Sequence, residues 1–548
     1  MRREPGRLAQ ELFDVLVIGG GISGATLAWD CALRGLKVAL VDKGDFGHAT
    51  TSATSKLIHG GLRYLKNGEL GIVRESLRER RILQLIAPHL VEPLAFLVPT
   101  YRRGGNLKWM IRAGLILYDW LSWDRNRLPD PARHIPAHTM LSPPEVLSRE
   151  PDVLPLGLTG GAIYRDCRCE PERLCLEFVL GAAGLGAVCV NYATVKGVYS
   201  SSGHGAVEIQ DRFSGQRFEV RARVVVNAAG PWVDEVDGFG GMGQGVVLRR
   251  SKGIHLVTRP LTRALALVMR TSRGGHFFII PWQGRSLIGT TDVEYLGPPD
   301  ELSVSDADVA DLLAEVNSAC PRANLTPADV LYCYAGVRPL VDTDSRVYSA
   351  SRRYEIVEHD QPGFLGWISA VGGKYTTSRS LAEKIADRVE ARLGKKVSPC
   401  RTASQLLPGG VPGVFDRFAE QTASQHGESL PQDVLQHLIH TYGARSEQLV
   451  AWVRREPTLA ARIQPDRPEI LAQVAFAIEQ EMALTLCDLL IRRTSVGALG
   501  IPADEALSQV IGLASRRLSW DAARARKERE FYLAKVQGKP EGFQPGKP

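Results

Sequence analysis

The sequence predicts an α/β fold that includes an interleaved region of mixed or antiparallel sheet and ends in a separate helical region. Three observations predict it. A strand, a glycine turn, a helix and a second strand follow one another near the N-terminus. Strand-like segments dominate residues 252–293, and a Pro- and Gly-rich segment at 406–414 is followed only by helical periodicity. We therefore expect an α/β part at 12–405 and a helical part at 406–548.

The N-terminal unit has the form of a complete βαβ motif. Asp14 to Ile18 (DVLVI) and Lys37 to Val41 (KVALV) are continuously apolar, as is typical of parallel strands covered by helices on both faces. Between them, Gly19, Gly21 and Gly24 have the spacing G-x-G-x-x-G directly before a helix. That context predicts a Rossmann-like dinucleotide site.

Each residue of this motif has a physical task. Gly19 permits the tight turn, Gly21 lets the backbone approach a pyrophosphate, and Gly24 lets the helix pack closely on the strand. The free N–H groups at the start of the helix favour an anion. Asp42 follows the second strand, where a carboxylate can accept both hydroxyls of an adenosine ribose. The motif alone does not distinguish FAD from NAD.

Further strands are predicted along the α/β part. Val224 to Val226 is a buried strand that leads into the glycine turn of NAAGPW. The segments GIHLVT, HFFIIPW and SLIGTTDV read as an antiparallel sheet that could wall a substrate site. Trp367 to Lys374 runs as a strand into a glycine pair, and a helix is expected from about Thr376 to Leu393.

The composition and charge of the chain limit the kinds of partner and cellular environment that we expect. The hydrophobic fraction of 44% and the charged fraction of 23% are those of an ordinary globular protein. A net charge of +7 suits an uncharged partner as well as a phosphorylated substrate, a nucleotide or an anionic membrane surface. The sequence has no Lys/Arg run with interleaved aromatic residues, so nucleic acid is not expected. Nine cysteines without a secretory signal indicate a reducing cytoplasm.

Six separated motifs resemble the FAD-dependent glycerol-3-phosphate dehydrogenases, the aerobic respiratory family, in order and in spacing. The resemblance covers about Phe13 to Thr494 and extends to the LPGG boundary motif and the helical C-terminal stretch. The motifs are DFGHATTSATSKLIHGGLRYL from Asp45, NAAGPWVDE from Asn227, SKGIHLV from Ser251, PWQGRSLIGTTDVEY from Pro281, YAGVRPL from Tyr334 and VGGKYTTSR from Val371.

The resemblance implies bound FAD in a Rossmann-like fold of the glutathione-reductase type. It assigns FAD binding mainly to 12–100, 165–240 and 350–405, and substrate binding mainly to 101–164 and 241–349. The helical cap at 406–548 would support a homodimer. The residues expected along the cofactor are Gly19, Gly21, Gly24, Asp42, Thr51, Ser52, Ser55, Lys56, Leu57, His59, Gly60, Gly61, Gly230, Gly372 and Gly373.

The resemblance also implies the substrate sn-glycerol 3-phosphate and its oxidation to dihydroxyacetone phosphate by hydride transfer from C2 to flavin N5. A phosphate monoester requires cationic or forked donors. The implied substrate residues are Arg63, Tyr64, Arg338, Lys374 and Thr376. Of these, we assign Arg63, Tyr64 and Thr376 to the phosphate, and Arg338 and Lys374 to the hydroxyls.

A base is useful for the proton of the C2 hydroxyl. His255 and His59 are the candidates, because histidine has a suitable intrinsic pKa. His59 can instead contact the flavin, and a histidine on a strand is often a core residue. We therefore expect His255, Arg338 and Lys374 as the catalytic set.

For reoxidation, the resemblance implies a quinone, with the protein peripheral on the inner face of the cell membrane. Leu107 to Trp123 (LKWMIRAGLILYDWLSW), preceded by Arg102 and Arg103, has the aromatic residues and flanking cations of an interfacial helix. The same stretch could instead be a helix packed on the protein core. It is too short and interrupted to span a bilayer.

Three alternative functions remain open at this point. The first is a glycerol-3-phosphate oxidase that uses oxygen, the second an amine or amino-acid oxidase of the same fold, and the third a non-catalytic flavin-binding protein. One segment departs from the family pattern: YRDCRCEPERLC, from Tyr164, stands where Val-Asp-Asp-Ala-Arg-Leu is more usual. Cys167 and Cys169 in it could be redox-sensitive or simply small apolar residues, and no metal site is predicted.

Overall fold

The computed structural model describes residues 1–102, 106–201, 204–239, 248–341, 354–361 and 364–536. Arg103, expected beside the aromatic stretch, lies outside these residues. The strands are β1 Leu12–Ile18, β2 Val38–Val41, β3 Leu57–Ile58, β4 Val91–Tyr101, β5 Thr139–Leu141, β6 Leu158–Cys169, β7 Val188–Val190, β8 Ala193–Ser201, β9 His204–Asp211, β10 Arg217–Asn227, β11 Leu248–Thr258, β12 Ala266–Arg270, β13 His276–Trp282, β14 Arg285–Gly289, β15 Val293–Glu294, β16 Val330–Val341, β17 Tyr354–Gln361 and β18 Phe364–Gly372.

Fifteen α-helices complete the described part of the chain, with short 3-10 turns between them. They are α1 Pro5–Gln10, α2 Ile22–Leu33, α3 Leu70–Ile86, α4 Lys108–Leu121, α5 Pro143–Arg149, α6 Pro171–Gly184, α7 Val233–Phe239, α8 Asp306–Ala319, α9 Ser378–Arg392, α10 Phe415–His426, α11 Gln432–Tyr442, α12 Ser446–Arg455, α13 Leu471–Glu481, α14 Asp504–Leu518 and α15 Ala522–Val536.

The first sheet has the order β17-β18-β10-β1-β2-β7, and its central pairings from β18 to β7 are parallel. Strand β9 pairs antiparallel with β10, and β8 with β9. Helices α2, α6 and α9 cover one face, where α2 contacts both of the others. On the other face, β1 and β2 share a core with residues of β8 and β9. Because both faces are covered, β1 and β2 are buried almost throughout, which explains their continuous apolar runs. The Rossmann-like fold is confirmed.

The second sheet has the order β15-β11-β14-β13-β12-β4-β6-β3, with β16 added at β11 and β5 at β6. All its pairings are antiparallel except that of β12 with β4. The predicted strands of 252–293 correspond to β11, β13 and β14. Because β4 and β6 reach this sheet from the N-terminal half, the two sheets are interleaved along the chain, as the sequence predicts.

The helices from α10 onward form the C-terminal region. Their apolar faces share one core that also contacts the second sheet, through residues such as Leu438, Phe476 and Leu490. A π-helical turn at Asp488–Arg493 directs two arginines toward the first sheet. Within the described residues, every helix falls short of the length and apolarity that crossing a bilayer would require.

Candidate active site

The glycine turn lies at the carboxyl edge of the parallel strands, as the motif predicts. Gly19 has a φ of +103°, and a Cβ there would lie 2.5 Å from the carbonyl oxygen of Ala228 at the end of β10. A Cβ on Gly24 would lie 1.9 Å from the carbonyl oxygen of Gly19. Both positions therefore exclude any side chain, which fixes the approach of α2 to the turn.

Asp42 is held rigidly beside this turn. Its carboxylate accepts hydrogen bonds from the backbone N–H groups of Gly20 at 2.6 Å and Gly44 at 2.8 Å. The Nδ1 atom of His48 lies 3.3 Å from it. Burial raises the pKa of this carboxyl group, against the opposing charge of His48. The side chain of Asp42 also lines the cavity described below.

Thr51 joins the next loop to the start of α2. Its hydroxyl oxygen accepts a hydrogen bond from the backbone N–H of Ile22, at 2.9 Å. A Cβ on Gly21 would lie 3.2 Å from the same oxygen, so the glycine lets the loop approach the helix terminus closely. The loop and the helix N-terminus thus present their polar groups to one space.

That space is a cavity of about 720 Å³, which runs along both sheets and contains most of the predicted site. A volume of this size is typical of cofactor and ligand pockets. The predicted residues that line it are Gly19, Gly21, Asp42, Thr51, Ser55, Leu57, His59, Gly61, Arg63, Tyr64, Gly230, His255, Arg338, Gly372, Gly373, Lys374 and Thr376.

Lys56 does not line this cavity. Its ammonium group lies 3.0 Å from Glu172 and 3.8 Å from Glu170, beside a smaller cavity of about 150 Å³. The side chain is 4% exposed, and a buried ammonium group needs carboxylate partners. The ammonium group of Lys56 is thus held by a structural ion pair, and the expected contact of Lys56 with a cofactor stays a prediction.

Three other predicted residues, Gly24, Ser52 and Gly60, also lie outside the lining. Gly24 packs α2 on β1, as described above. The hydroxyl of Ser52 donates to the carbonyl oxygens of its own turn, and its side chain borders the smaller cavity. Gly60 is buried, and its N–H donates to the hydroxyl of Tyr118 at 3.0 Å. Ser52 and Gly60 thus make contacts within the protein, and their expected cofactor contacts stay predictions.

Arg338 enters the cavity from β16. Its guanidinium donates to the hydroxyl of Thr290 at 2.6 Å and to the carbonyl oxygen of Thr291 at 3.3 Å. The carboxylate of Asp292 lies 3.4 Å away. These contacts fix the orientation of the planar group, while its side chain remains 25% exposed on the cavity.

Lys374 and Arg63 flank the ring of Tyr64. The Lys374 ammonium group lies 4.4 Å from the ring centre and donates to the hydroxyl of Ser76 at 2.8 Å. The Arg63 guanidinium donates to the hydroxyl of Tyr64 at 3.1 Å. Burial, with the charge of Arg63, lowers the pKa of Lys374 to about 7. An anion here would therefore meet two closely spaced cationic side chains.

His255 is a buried imidazole with a defined orientation. Its Nε2 atom lies 2.8 Å from the hydroxyl of Ser55, and its ring stacks on Tyr334 with centroids 4.9 Å apart. The hydroxyl of Tyr334 in turn donates to the carbonyl oxygen of Thr54 at 2.7 Å. Burial and the charge of Arg338 hold the pKa of His255 well below its usual range. The ring is therefore neutral at pH 7 and can accept a proton.

His59 lies on the same cavity but in a different setting. Its backbone N–H donates to the hydroxyl of Thr376 at 3.3 Å, which ties the two predicted site loops together. Burial, followed by the charges of Lys374 and Arg63, lowers the pKa of its imidazole to about 3. Both candidate bases are thus neutral.

Several residues of the site were not predicted from the sequence motifs. Asp166 accepts hydrogen bonds from Tyr118 at 2.8 and 2.9 Å and pairs with the buried Arg80, directly under Gly60. Lys66 and His276 line the cavity, although neither was predicted there. Two features of the sequence could have marked these residues as part of the site. Asp166 stands in the atypical YRDC segment, and His276 is the first residue of the predicted strand HFFIIPW.

The atypical segment holds no reactive cysteine. Cys167 and Cys169 are both buried, and burial raises the pKa of Cys167 to about 12. Its thiol therefore stays protonated near neutral pH. Two charged residues of this segment are paired within the protein: Glu172 with Lys56, and Arg173 with Glu177 and Glu481.

The geometry fits a dinucleotide together with a small anionic substrate. The glycine turn, the terminus of α2, Asp42 and Thr51 provide the recognition elements of a dinucleotide at one part of the cavity. The cations Arg63, Arg338 and Lys374 and a neutral imidazole occur at another part of the same cavity. Such a combination can orient a polar substrate beside a bound redox cofactor and accept its proton.

Comparisons with known proteins agree with this geometry. The family described as FAD dependent oxidoreductase matches residues 14–388, and the C-terminal domain of alpha-glycerophosphate oxidase matches residues 400–525. A glycerol-3-phosphate dehydrogenase of Synechocystis sp. is 41% identical over 512 residues, which are 90% of this chain and 91% of the relative. An aerobic glycerol-3-phosphate dehydrogenase of Staphylococcus saprophyticus is 32% identical over 97% of this chain and 94% of the relative.

A solved structure gives the same result at the level of the fold. The glycerol-3-phosphate dehydrogenase from Bacillus halodurans, complexed with FAD, superposes with a TM-score of 0.80 at 28% identity. The superposition covers 98% of this chain and 97% of that chain. The similarity thus extends over both the α/β part and the C-terminal helical part.

Proposed function

This chain belongs to the FAD-dependent oxidoreductases, and among them to the glycerol-3-phosphate dehydrogenase family with FAD as its cofactor, and from that premise we propose that it oxidises sn-glycerol 3-phosphate to dihydroxyacetone phosphate. The observation that carries the proposal is that Arg63, Arg338 and Lys374 line the same cavity as the glycine turn. A phosphate monoester carries nearly two negative charges and suits several cationic side chains, whereas an amine carries no negative charge and an amino acid has a single carboxylate to bind.

The residues that would hold FAD follow from the cavity lining. Gly19, Gly21 and the first N–H groups of α2 would receive the pyrophosphate, and Asp42 the ribose hydroxyls. Gly372 and Gly373 precede Lys374 on the lining, at the end of β18. When bound, FAD supplies the acceptor for the hydride from C2 of the substrate, at flavin N5.

The cationic side chains would bind and orient the substrate. Arg63 and Tyr64, already hydrogen-bonded to each other, would hold the phosphate together with the hydroxyl of Thr376. Arg338 would contact the substrate hydroxyls with the exposed part of its side chain, while Thr290 and Thr291 hold the orientation of its guanidinium. Lys374, with its pKa lowered to about 7, would lie near the same hydroxyls and can exchange a proton with them.

His255 would accept the proton of the C2 hydroxyl. The ring is neutral, and stacking on Tyr334 holds its plane. Its Nε2 atom is within hydrogen-bonding distance of Ser55, so the proton would reach it either directly or through that hydroxyl. His59 is also neutral, and nearby cations lower the pKa of both imidazoles. We assign the proton to His255 because its ring is oriented by Tyr334 and its Nε2 atom lies beside the hydroxyl of Ser55.

The electron acceptor we propose is a quinone at a membrane surface. Helix α4 buries Leu115, Tyr118 and Leu121 against the protein and exposes Trp109 by 68% and Trp120 by 70%. An exposed aromatic face of this kind suits the interfacial layer of a bilayer, with the rings among the headgroups. The helix therefore has both a core-packed face and a face suited to a membrane.

We place the protein at the cytoplasmic face of the membrane. A homodimer that forms through the C-terminal region stays a prediction.

Anaerobic addition of sn-glycerol 3-phosphate to the purified yellow protein tests the proposal. We expect the flavin absorbance to bleach, and neither glycerol nor glycine should bleach it at the same concentration. Bleaching by glycine alone would favour an amino-acid oxidase, and no bleaching by any of the three would contradict the proposed oxidation. If the reaction in air formed one peroxide for each molecule of product, the electron acceptor would be oxygen and not a quinone.

A further inference from the structure

A second group of basic side chains lies beside Arg63 at the cavity. Lys66 and His276 both line the cavity, together with Arg63. Lys66 is exposed and His276 is half-buried, which places them toward solvent. Arg270 lies directly across from His276 in the antiparallel pairing of β12 with β13. Arg270 is not itself on the lining, but it stands beside His276, so four basic residues from three segments of the chain lie close together at this end of the cavity, its rim.

The Arg270 guanidinium has unused donor capacity. Its Nη1 atom is buried, and none of the described residues accepts a hydrogen bond from it. The other end of the group lies against the β12–β13 turn, where a Cβ on Gly274 would be 3.5 Å from Nη2. A buried charged donor without an acceptor is costly, so such an atom points to a ligand that supplies the acceptor.

The positive charges at this rim act on the basic residues beside them. The charges that lower the pKa of His276 to about 4, after burial, are those of Lys66, Arg270 and Arg63. Burial and Arg270 likewise lower the pKa of Lys66. His276 is therefore neutral near pH 7, whereas Lys66, Arg270 and Arg63 carry like charges that repel one another. A doubly charged anion placed among these three would reduce that repulsion, and the imidazole of His276 can donate a hydrogen bond to it.

We propose that Lys66, Arg270 and His276 extend the phosphate end of the substrate site outward from Arg63 and form a subsite for a phosphate monoester. The inference rests on the proposed function for the identity of the substrate, but the subsite is defined by its own residues. Arg63 belongs to both groups, so a phosphate at the rim is passed to, or shared with, the inner site. The ligand is a small soluble phosphate, because His276 and Arg63 line the cavity that also holds Lys374.

Titration calorimetry with inorganic phosphate on the FAD-loaded protein tests this subsite. In Arg270→Ala we expect the phosphate affinity to fall by about tenfold, since a charge-assisted hydrogen bond is lost. In Lys66→Ala we expect a loss of about threefold, because that charge is exposed and screened. Lys396→Ala is the matched control, because this lysine is exposed, stands after α9 away from β12 and β13, and its removal takes away the same charge.

Kinetics supplies a second readout. Because phosphate binding would contribute equally before and during the reaction, the loss should fall on KM for sn-glycerol 3-phosphate rather than on kcat. Arg270→Lys keeps the charge and should recover part of the affinity. If Arg270→Ala does not fold, the phosphate affinity and KM of Arg270→Lys test the same contact.

The inference is overturned if Arg270→Ala and Lys66→Ala bind inorganic phosphate as tightly as the wild type. It is also overturned if the variants keep their phosphate affinity but lose binding to phosphatidylglycerol vesicles, because the rim would then serve a lipid headgroup. The two proposals can fail separately. If the titrations show the expected losses but neither the wild type nor any variant oxidises sn-glycerol 3-phosphate, the proposed function is wrong and the phosphate subsite is supported.

Discussion

The carboxylate of Asp45 and the guanidinium of Arg493 form a buried ion pair between the cofactor-side loop and the C-terminal helical region, with N–O distances of 2.8 and 3.0 Å. Arg492 adds a third hydrogen bond at 2.8 Å. Burial alone would raise the pKa of Asp45, but the two arginines hold it well below its usual range. Asp45 lies between Asp42 and Thr51, which both line the cavity, so the C-terminal region supports the loop that would hold the ribose and pyrophosphate.

Arg493→Met should therefore weaken cofactor retention as well as stability. Removing one partner of a buried pair leaves an uncompensated carboxylate, at a cost of about 3 kcal/mol. We expect a lower Tm and a purified protein with less FAD per chain. Arg517→Met is the control, because Arg517 pairs with Glu479 at the surface, where such a pair contributes about 1 kcal/mol or less. Equal FAD content in both variants would argue against a supporting role of the C-terminal region.

Gly24→Ala should abolish dinucleotide binding. A Cβ there would lie 1.9 Å from the carbonyl oxygen of Gly19, so α2 must move away from the turn. We expect protein without the yellow flavin absorbance, or no soluble protein. Gly71→Ala is the matched change, since Gly71 in α3 has nothing within 4 Å of its Cβ position. It should keep full FAD content and gain about 0.5–1 kcal/mol from the helix propensity of alanine. A flavin-loaded Gly24→Ala variant would contradict the assigned packing.

The elements that the sequence predicted well are those whose signals are local. The βαβ unit is specified by apolar runs and glycines within 30 residues or so of one another, and its geometry follows from backbone sterics. Arg63, Arg338 and Lys374 were placed by motifs that resemble a family, and the fold brings them to one cavity. Where a residue's surroundings depend on distant parts of the chain, the predictions were weaker.

Lys56 shows why. It stands in the matched loop, but its side chain pairs with Glu172 at the start of α6, and local sequence cannot show that partner. Asp45 and Arg493 form their contact across almost the whole chain. Lys66 and His276 were missed because a single cation or histidine has no spacing that marks it as a ligand. Tertiary proximity alone makes such residues part of a site.

His255→Gln should lower turnover far more than FAD content. Glutamine keeps a polar group near Ser55 but cannot accept the substrate proton as imidazole does, so we expect kcat to fall by about 100-fold or more. Ser55→Ala removes only the hydroxyl that lies 2.8 Å from Nε2, and should lower kcat by about tenfold or less. Stopped-flow measurement of anaerobic flavin bleaching gives both rates. If His255→Gln bleached at the wild-type rate, His255 would have no part in proton transfer.

Lys374→Met should stabilise the protein, and more at pH 6 than at pH 9. Burial lowers the pKa of Lys374 from its ordinary 10.5 to about 7, so the folded state binds fewer protons than the unfolded state between these values. Wild-type stability therefore rises with pH in that window, and the full penalty applies below pH 7. Methionine carries no such penalty, and the gain at pH 6 is on the order of 1–3 kcal/mol.

Thermal unfolding of the wild type and Lys374→Met at both pH values measures this difference. Activity should be lost in the variant, since the ammonium group would no longer lie beside the substrate hydroxyls. Lys374→Arg keeps the charge and should not show the gain at pH 6. A gain in Tm that is identical at pH 6 and pH 9 would mean that Lys374 carries no burial penalty.

Trp120→Glu should weaken membrane binding without disturbing the site. Trp120 is 70% exposed on α4, and Ile116, one turn away, is 53% exposed on the same helix. A glutamate on this face cannot enter the interfacial layer and is repelled by anionic lipid, so co-sedimentation with vesicles of phosphatidylglycerol and phosphatidylcholine should fall by about tenfold. Leu296→Glu is the control, because Leu296 is 92% exposed but lies after β15, outside α4. Activity with a water-soluble quinone analogue should remain at the wild-type level in both variants, while reduction of a long-chain quinone held in vesicles should fall only in Trp120→Glu. If both variants sediment with vesicles equally well, α4 is not the membrane-facing element, and its exposed aromatic face needs another partner.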